Sequence, residues 1–214
     1  MRSIVLYLLL LVSVTAWAGK VEEAAARGDA HAQFELGMMY TKGDGVSKDA
    51  SKAVEWLQKA AEQGEANAQL QLGAMYLKGE GVTKDIAKAV AWWEKAGAQG
   101  NVIAQFQLGL IYAKGEEVAK DAMKAVEWLQ KSAAQGYGYA QFEFGMMYLK
   151  GEGVAVNRTL AYAWFSLSAE QGHYKSWKAR NSLDKDLSFS DAELKEGYRL
   201  AENWKKGEVL RQEH

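Results

Sequence analysis

The sequence contains no cysteine and no proline. Without cysteine the chain cannot form disulfides, thiolate metal sites or a cysteine nucleophile, so its stability must come from packing. Without proline, its helices must be interrupted by another residue. The 21 glycines are suited to that task, because glycine takes the backbone angles that end helices. A hydrophobic share of 49% indicates a mostly helical chain with a packed core.

A large net charge is also missing. The 26 basic residues nearly balance the 27 acidic ones, and the formal net charge is −1. Such a chain has no general electrostatic attraction for nucleic acid or anionic lipid, so we expect no nucleic-acid partner. The three histidines lie far apart in the sequence, whereas zinc or iron sites need several His or Cys ligands at defined spacing. We therefore expect no metal and no cofactor.

The first eighteen residues have the pattern of a secretory signal peptide. Arg2 precedes an apolar run over residues 4–14, and the small residues Ala16 and Ala18 come directly before Gly19. A membrane anchor would need about 20 apolar residues, which is more than this run supplies. We expect cleavage after Ala18, export to the periplasm or the medium, and no stable membrane insertion of the mature protein.

Four series of residues recur with a step of 36 along the chain. The longest is a glycine series of Gly28, Gly64, Gly100, Gly136 and Gly172. The others are Gly37, Gly73, Gly109 and Gly145; Tyr40, Tyr76, Tyr112 and Tyr148; and Trp56, Trp92, Trp128 and Trp164. A fixed period of this length is typical of solenoid proteins, in which repeats of one motif stack on each other.

Each repeat is predicted to hold two amphipathic helices joined by a glycine loop. Ala32, Leu36 and Tyr40 recur at helical spacing on the first helix, and Ala53 and Trp56 do so on the second. The loop is KGDGV in the first repeat and KGEGV in the second and fourth. Polar residues follow each loop where the second helix needs an N-cap. These are Asp49, Asp85, Asp121 and Asn157.

The repeats closely resemble the Sel1-like repeat family, a relative of the tetratricopeptide repeats. They share its pattern A-Q-x-x-L-G-x-x-Y-x-x-G-x-G-V-x-K-D-x-x-K-A-x-x-W-x-x-x-A. The resemblance implies an all-α fold, a right-handed α-solenoid, and a role in scaffolding envelope complexes, signalling or host contact. We divide the chain into a signal peptide (1–18), four repeats (26–63, 64–99, 100–135 and 136–171) and a C-terminal helical cap (172–214).

The third repeat and the C-terminal region depart from the pattern. Glu117 stands where the other loops have glycine, and it would be strained if that position is left-handed. After Gly172 we predict a helix over residues 174–183. Ser190 and Glu193 then form a capping box that opens a last helix, which we expect to run to Lys205.

Catalytic patterns are missing from the sequence. It contains no H-E-x-x-H, G-x-S-x-G or phosphate-loop motif. Glu35 and Glu143 occupy equivalent positions three repeats apart, and stacked helices would hold them roughly 25–30 Å from each other, too far for a carboxylate pair. Some cysteine-rich members of the family are linked to penicillin-type ligands, but their disulfides have no counterpart here. We therefore expect no catalytic residues and no enzyme activity.

A variable stripe on the first helices is the predicted binding surface for a protein or peptide partner. These positions share one helix face, which in such solenoids lies on the concave side, and its centre is apolar. The predicted partner-binding residues are His31, Glu35, Met38, Asn67, Gln71, Ile103, Gln107, Leu110, Tyr139, Glu143 and Met146. The alternative is that Ile103 and Leu110 pack between repeats and the rest is ordinary surface. An enzyme acting on cell-wall or β-lactam substrates and a self-assembling spacer remain the alternative functions.

Overall fold

A computed structural model describes residues 17–186 and 188–210. The chain divides after Asn101 into two compact units. The first unit contains helices α1 (17–26), α2 (Ala30–Lys42), α3 (Ala50–Glu62), α4 (Ala66–Lys78) and α5 (Ile86–Ala98). The second contains α6 (Val102–Lys114), α7 (Ala122–Ala134), α8 (Gly138–Lys150), α9 (Arg158–Glu170), α10 (Tyr174–Asp184) and α11 (Asp191–Glu202). No strand occurs among the described residues, and none of their helices is long and apolar enough to cross a membrane.

Helix pairs form as the sequence predicts. In the first pair, α2 ends at Gly43, which is left-handed (φ 85°) and whose N–H donates to the carbonyl of Met39. The side chain of Asp49 then accepts a hydrogen bond from the N–H of Lys52, and this caps α3. The equivalent caps at Asp85, Asp121 and Asn157 are confirmed in the same way.

Glu117 does not share the backbone geometry of the glycines it replaces. Gly45, Gly81 and Gly153 have φ values of 75°, 73° and 73°, whereas no described residue other than glycine has a positive φ. The strain expected for a left-handed Glu117 therefore does not arise, because the third loop takes another conformation.

The core of the first unit extends to α1, a helix that the sequence analysis did not predict. Val21 and Ala25 are buried and lie in one cluster with Leu36 and Met39 of α2. They precede Leu57 and Ala61 by the same 36-residue step, so α1 acts as the second helix of a preceding repeat. The proposed signal peptide falls mostly on residues 1–16, which lie outside the described part of the chain.

Small residues allow the two helices of a repeat to approach closely. A Cβ added to Gly37 would lie 2.6 Å from Cγ of Leu57, and one added to Gly109 would lie 2.5 Å from Cγ of Leu129. Trp93 is buried against Gly73, as expected for a packing residue.

In the second unit, α9 packs against α8, α10 and α11, and its residues 159–168 are all buried. The predicted capping box at Ser190 and Glu193 is confirmed, but α11 ends at Glu202 and not at Lys205. The chain beyond α11 folds back, since the indole N–H of Trp204 donates to the carbonyl of Glu208 and the N–H of Gly207 donates to that of Ala134. The last helix and its tail therefore cover the end of the repeat array.

Candidate partner-binding pocket

Three of the predicted binding residues in the first unit, His31, Glu35 and Asn67, already have internal partners. The imidazole of His31 lies 3.6 Å from the carboxylate of Glu35, one helical turn away. The side-chain oxygen of Asn67 accepts a hydrogen bond from Asn101. Met38 is half-buried and packs against the core cluster around Leu57, so its side chain stabilises the fold. Gln71 is half-buried as well.

Predicted residues of the second unit divide into two groups. Tyr139 and Glu143 line a pocket of about 550 Å³. Met146 packs against a core cluster in α9 and α10 and does not line the pocket. The remaining residues also lie outside its lining; Ile103 is exposed, and Gln107 and Leu110 are half-buried.

The pocket lies between the start of α8 and the start of α10. Its lining consists of Tyr137, Gly138, Tyr139, Phe142, Glu143, Gln171, Gly172, His173, Tyr174 and Lys175. A volume of this size is within the range of roughly 300–1,000 Å³ that small ligands occupy in proteins.

Aromatic rings form a continuous wall of this pocket. The ring of Tyr139 meets the imidazole of His173 edge-on, with centroids 4.9 Å apart. Phe142 lies 5.0 Å from the same imidazole, and Tyr137 lies 5.5 Å from Tyr139. Phe142 also contacts Phe165 of α9, which anchors the wall to the core. Such offset and edge-on pairs hold the rings in fixed orientations.

Neither of the two helices that border the pocket has a side-chain N-cap. Asp29 and Glu65 cap α2 and α4 through their carboxylates. At the equivalent position before α8 stands Tyr137, and before α10 stands His173; neither side chain caps its helix. A missing cap costs about 1 kcal/mol, so stability is lost at two points where the pocket gains an aromatic ring.

A chain of hydrogen bonds fixes the orientation of His173. The hydroxyl of Ser168 donates to the carbonyl of Gly138 at 2.6 Å, and the hydroxyl of Ser176 donates to Ser168 at 2.7 Å. Each hydroxyl has one proton, so Nδ1 of His173 must donate the 2.6 Å bond to Ser176. Burial and the nearby charge of Lys175 lower the pKa of His173 below its usual 6.5, which favours the neutral ring with its proton on Nδ1.

Glu143 provides the acidic group of the pocket. Its side chain is half-buried and forms no hydrogen bond or ion pair with any described residue. Burial raises the pKa of Glu143 above its usual 4.5, against the opposing influence of Lys175, Lys150 and Lys114. A carboxylate that is partly desolvated and lacks a close partner favours a ligand with a positive charge.

The hydrogen-bonded pair of Ser176 and His173 is not arranged as a nucleophile and its base. Ser176 is fully buried, and its proton is donated to Ser168 and not to the imidazole. Within residues 17–186 and 188–210, no group of three or more His, Cys, Asp and Glu side chains lies close enough to hold a metal ion. The chemistry this pocket offers is recognition by aromatic and charged groups.

Sequence reasoning missed most of the pocket. It identified Tyr139 and Glu143 but did not include Phe142, His173, Tyr174 or Lys175 among the binding residues. One signal was available: the N-cap series of Asp29, Glu65 and Asn101 is broken by Tyr137. An aromatic residue in a capping position indicates a role other than capping.

Comparison with known proteins assigns the chain to a family. The family model described as Sel1 repeat matches residues 30–65, 66–101, 102–137 and 138–173. One similar crystal structure is a protective antigen present in uropathogenic Escherichia coli strains that displays an SLR fold, with 35% identity and a TM-score of 0.78. Another is a Sel1 repeat protein from Oxalobacter formigenes, with 34% identity and a TM-score of 0.74.

These two alignments cover 86% and 79% of this chain but only 40% and 49% of the two known proteins. A comparison with curated proteins finds no significant match. The all-α fold of tandem helix–loop–helix repeats is confirmed, and Sel1 repeats typically mediate interactions between proteins. With four matching repeats over residues 30–173, the chain belongs to the Sel1 repeat family.

Proposed function

We propose that this protein is an exported, non-catalytic adaptor that binds a partner protein through the first helices of its repeats. The observation that carries this proposal is the aromatic pocket of the second unit, where the predicted residues Tyr139 and Glu143 lie side by side. The proposal places the centre of binding at this pocket, with Ile103 at the equivalent position one repeat earlier.

Exposed aromatic side chains around the pocket support binding of a protein. Tyr139 is 56% exposed, Tyr174 is 69% exposed and Trp177 is 47% exposed. Tyr174 and Trp177 stack on each other, with ring centroids 5.9 Å apart. Tyrosine and tryptophan are enriched in the residues that dominate protein–protein interfaces. Such exposed aromatic side chains support a surface that a partner protein covers.

The proposal that the protein is not an enzyme rests on the hydrogen bonds of Ser176 and His173, which fix where their protons lie. An enzyme acting on cell-wall or β-lactam substrates would need an activated nucleophile or water. Ser176 is buried and His173 is already bonded through Nδ1, so neither group is placed to activate the other. Hydrolysis of a β-lactam by the purified protein, lost on changing Glu143 to Gln, would favour the enzyme instead.

Export rests on the N-terminal sequence pattern. We propose that the mature protein begins at Gly19, and N-terminal sequencing of protein from the periplasm or the medium tests this. Cleavage there would remove Ala18, which is buried against α2, and leave Val21 and Ala25 to cover the same surface. Recovery of Met1 in the purified protein would contradict the proposed cleavage.

The adaptor proposal is tested by capture and then by direct titration. Mature protein and a Tyr139→Ala/Tyr174→Ala variant are used to capture proteins from an envelope extract of the source cells, and each captured protein is purified and titrated against both. Met123→Glu is the matched control, because Met123 is 69% exposed and lies in the same unit on a second helix.

A specific partner should bind the mature protein and the Met123→Glu variant equally and the double variant at least tenfold more weakly. Equal binding of a partner to all three proteins would show that the pocket is not part of the interface. A concentration-dependent oligomer in light scattering, dissociated by the double variant alone, would favour the self-assembling spacer.

A further inference from the structure

Glu143 lacks the histidine partner that its equivalent in the first repeat has. Glu35 and Glu143 occupy the same position of α2 and α8. Glu35 lies 3.6 Å from the imidazole of His31, four residues earlier. In α8 that place is taken by Tyr139, which cannot supply a positive charge. The fourth repeat therefore keeps the carboxylate and replaces its internal partner with an aromatic ring.

The groups around Glu143 suit a flat cation. The ring centroids of Tyr139 and Phe142 lie 4.9 and 5.0 Å from that of His173, so three aromatic rings stand together along the wall. A guanidinium group stacks on aromatic rings and forms two parallel hydrogen bonds with one carboxylate. An ammonium group is a compact, strongly hydrated charge that cannot form the same paired contact.

We infer that this pocket receives an arginine side chain of the partner protein, with its guanidinium group paired to Glu143 and stacked against Tyr139 and His173. This inference rests on the proposed adaptor function and names the chemistry by which the partner is recognised. The neutral state of His173 is part of the arrangement, since a protonated imidazole would repel the guanidinium group.

Lys175 lets the experiment distinguish a cationic occupant from an anionic one. It lines the pocket, and its charge acts on both Glu143 and His173. If the occupant is a cation, Lys175 opposes binding and its removal strengthens binding. If the occupant is an acidic side chain or a terminal carboxylate, Lys175 supports binding and its removal weakens it. Changing Glu143 has the opposite effect in each case.

The experiment uses four blocked tripeptides, Ac-Gly-X-Gly-NH2, in which X is Arg, Lys, citrulline or Glu. Citrulline has nearly the same shape as arginine but no charge. Each peptide is titrated into the mature protein at pH 7.5, and binding is followed by the NMR signals of the His173 ring. His31 serves as the internal reference, because it lies in the first unit beside Glu35.

We expect the arginine peptide to bind most tightly, the lysine peptide more weakly and the citrulline peptide at least tenfold more weakly. Glu143→Gln should weaken arginine binding about tenfold, and Lys175→Met should strengthen it about threefold. Circular dichroism should show the same helix content and melting temperature for Lys175→Met as for the parent protein.

Three results of the peptide titrations would overturn the inference. They are equal binding of the arginine and citrulline peptides, tightest binding of the glutamate peptide, and no shift of the His173 signals with any peptide. A partner whose binding depends on Tyr139 but not on Glu143 would refute the arginine pocket and leave the adaptor proposal in place. If the arginine peptide bound but the capture experiment yielded no protein partner, the adaptor proposal would be refuted.

Discussion

The side-chain amide of Gln99 donates a 2.8 Å hydrogen bond to the side-chain oxygen of Gln69, thirty residues earlier. Gln69 is buried, and its own amide donates to the carbonyl of Ala61 at 3.0 Å. One glutamine thus links the end of α3, the start of α4 and the end of α5. The same glutamine pair recurs in every repeat, as Gln33 with Gln63, Gln105 with Gln135, and Gln141 with Gln171.

Replacement of Gln69 by Leu should lower the free energy of unfolding by about 1–3 kcal/mol, because it removes both bonds and leaves the Ala61 carbonyl without this donor. The matched control is Gln99→Leu. Gln99→Leu removes only the bond to Gln69 and keeps the bond from Gln69 to the Ala61 carbonyl, so the expected loss is smaller, about 1 kcal/mol. Urea unfolding followed by circular dichroism measures both. Equal losses would show that the bond to the Ala61 carbonyl adds nothing to stability.

Two left-handed glycines of the first unit separate the effect of backbone angle from that of close contact. Gly64 and Gly81 have φ values of 95° and 73°. A Cβ on Gly64 would meet open space, whereas one on Gly81 would overlap the backbone carbonyl of Ala50. Gly64→Ala should therefore destabilise by about 1 kcal/mol, and Gly81→Ala by about 1–3 kcal/mol more. Thermal unfolding checks the difference; similar losses would mean that the loop moves away from α3 without cost.

The repeats could be predicted because each depends on local signals. Glycines at a 36-residue step, apolar residues at helical spacing and Asp or Asn at the caps are all visible in one sequence. Helix α1 could also have been predicted from the 36-residue step, since Val21 stands 36 residues before Leu57. The signal-peptide pattern directly before it drew the interpretation of this region toward export instead. The sequence predicts that α11 runs to Lys205, whereas the helix ends at Glu202, and the indole of Trp204 bonds to Glu208 beyond the helix end.

The pocket could be predicted only in part, because it depends on contacts between residues far apart in the chain. Tyr139 and Glu143 lie on one turn of α8 and were found from their variable positions. His173 reaches them only after α9 has returned the chain to the start of α10. The direction of its hydrogen bond depends on Ser168 and Ser176, which carry no signal in the sequence.

Glu143→Gln should stabilise the protein at pH 7 while it weakens arginine binding. Burial raises the pKa of Glu143, so the folded state disfavours the ionised carboxylate, and stability is lost as the pH rises through this raised pKa. Glutamine has no charge to bury and avoids that loss. Urea unfolding at pH 7 should therefore show a gain for the variant. At pH 4 the carboxyl is mostly protonated in both states and the gain should be much smaller; an equal gain at both pH values would point to packing instead.

Binding of the arginine peptide should be lost in weak acid. The binding state needs Glu143 ionised and His173 neutral. The other charged groups that act on Glu143 are Lys175, Lys150 and Lys114. Burial raises the pKa of Glu143 above its usual 4.5, whereas burial and the charge of Lys175 lower the pKa of His173 below its usual 6.5.

Affinity should accordingly fall as the pH drops, because Glu143 gains its proton at a higher pH than an ordinary glutamate and His173, at a lower pH than an ordinary histidine, gains a positive charge. NMR titrations with the arginine peptide at a series of pH values measure this profile. In a His173→Gln variant the fall should follow the protonation of Glu143 alone. The citrulline peptide is the control for a change in fold, since its weak binding should not follow the same curve. Since the pKa of Glu143 lies above 4.5, more than half of this carboxyl is protonated at pH 4.5. Unchanged arginine binding at that pH would therefore show that Glu143 does not pair with the guanidinium group.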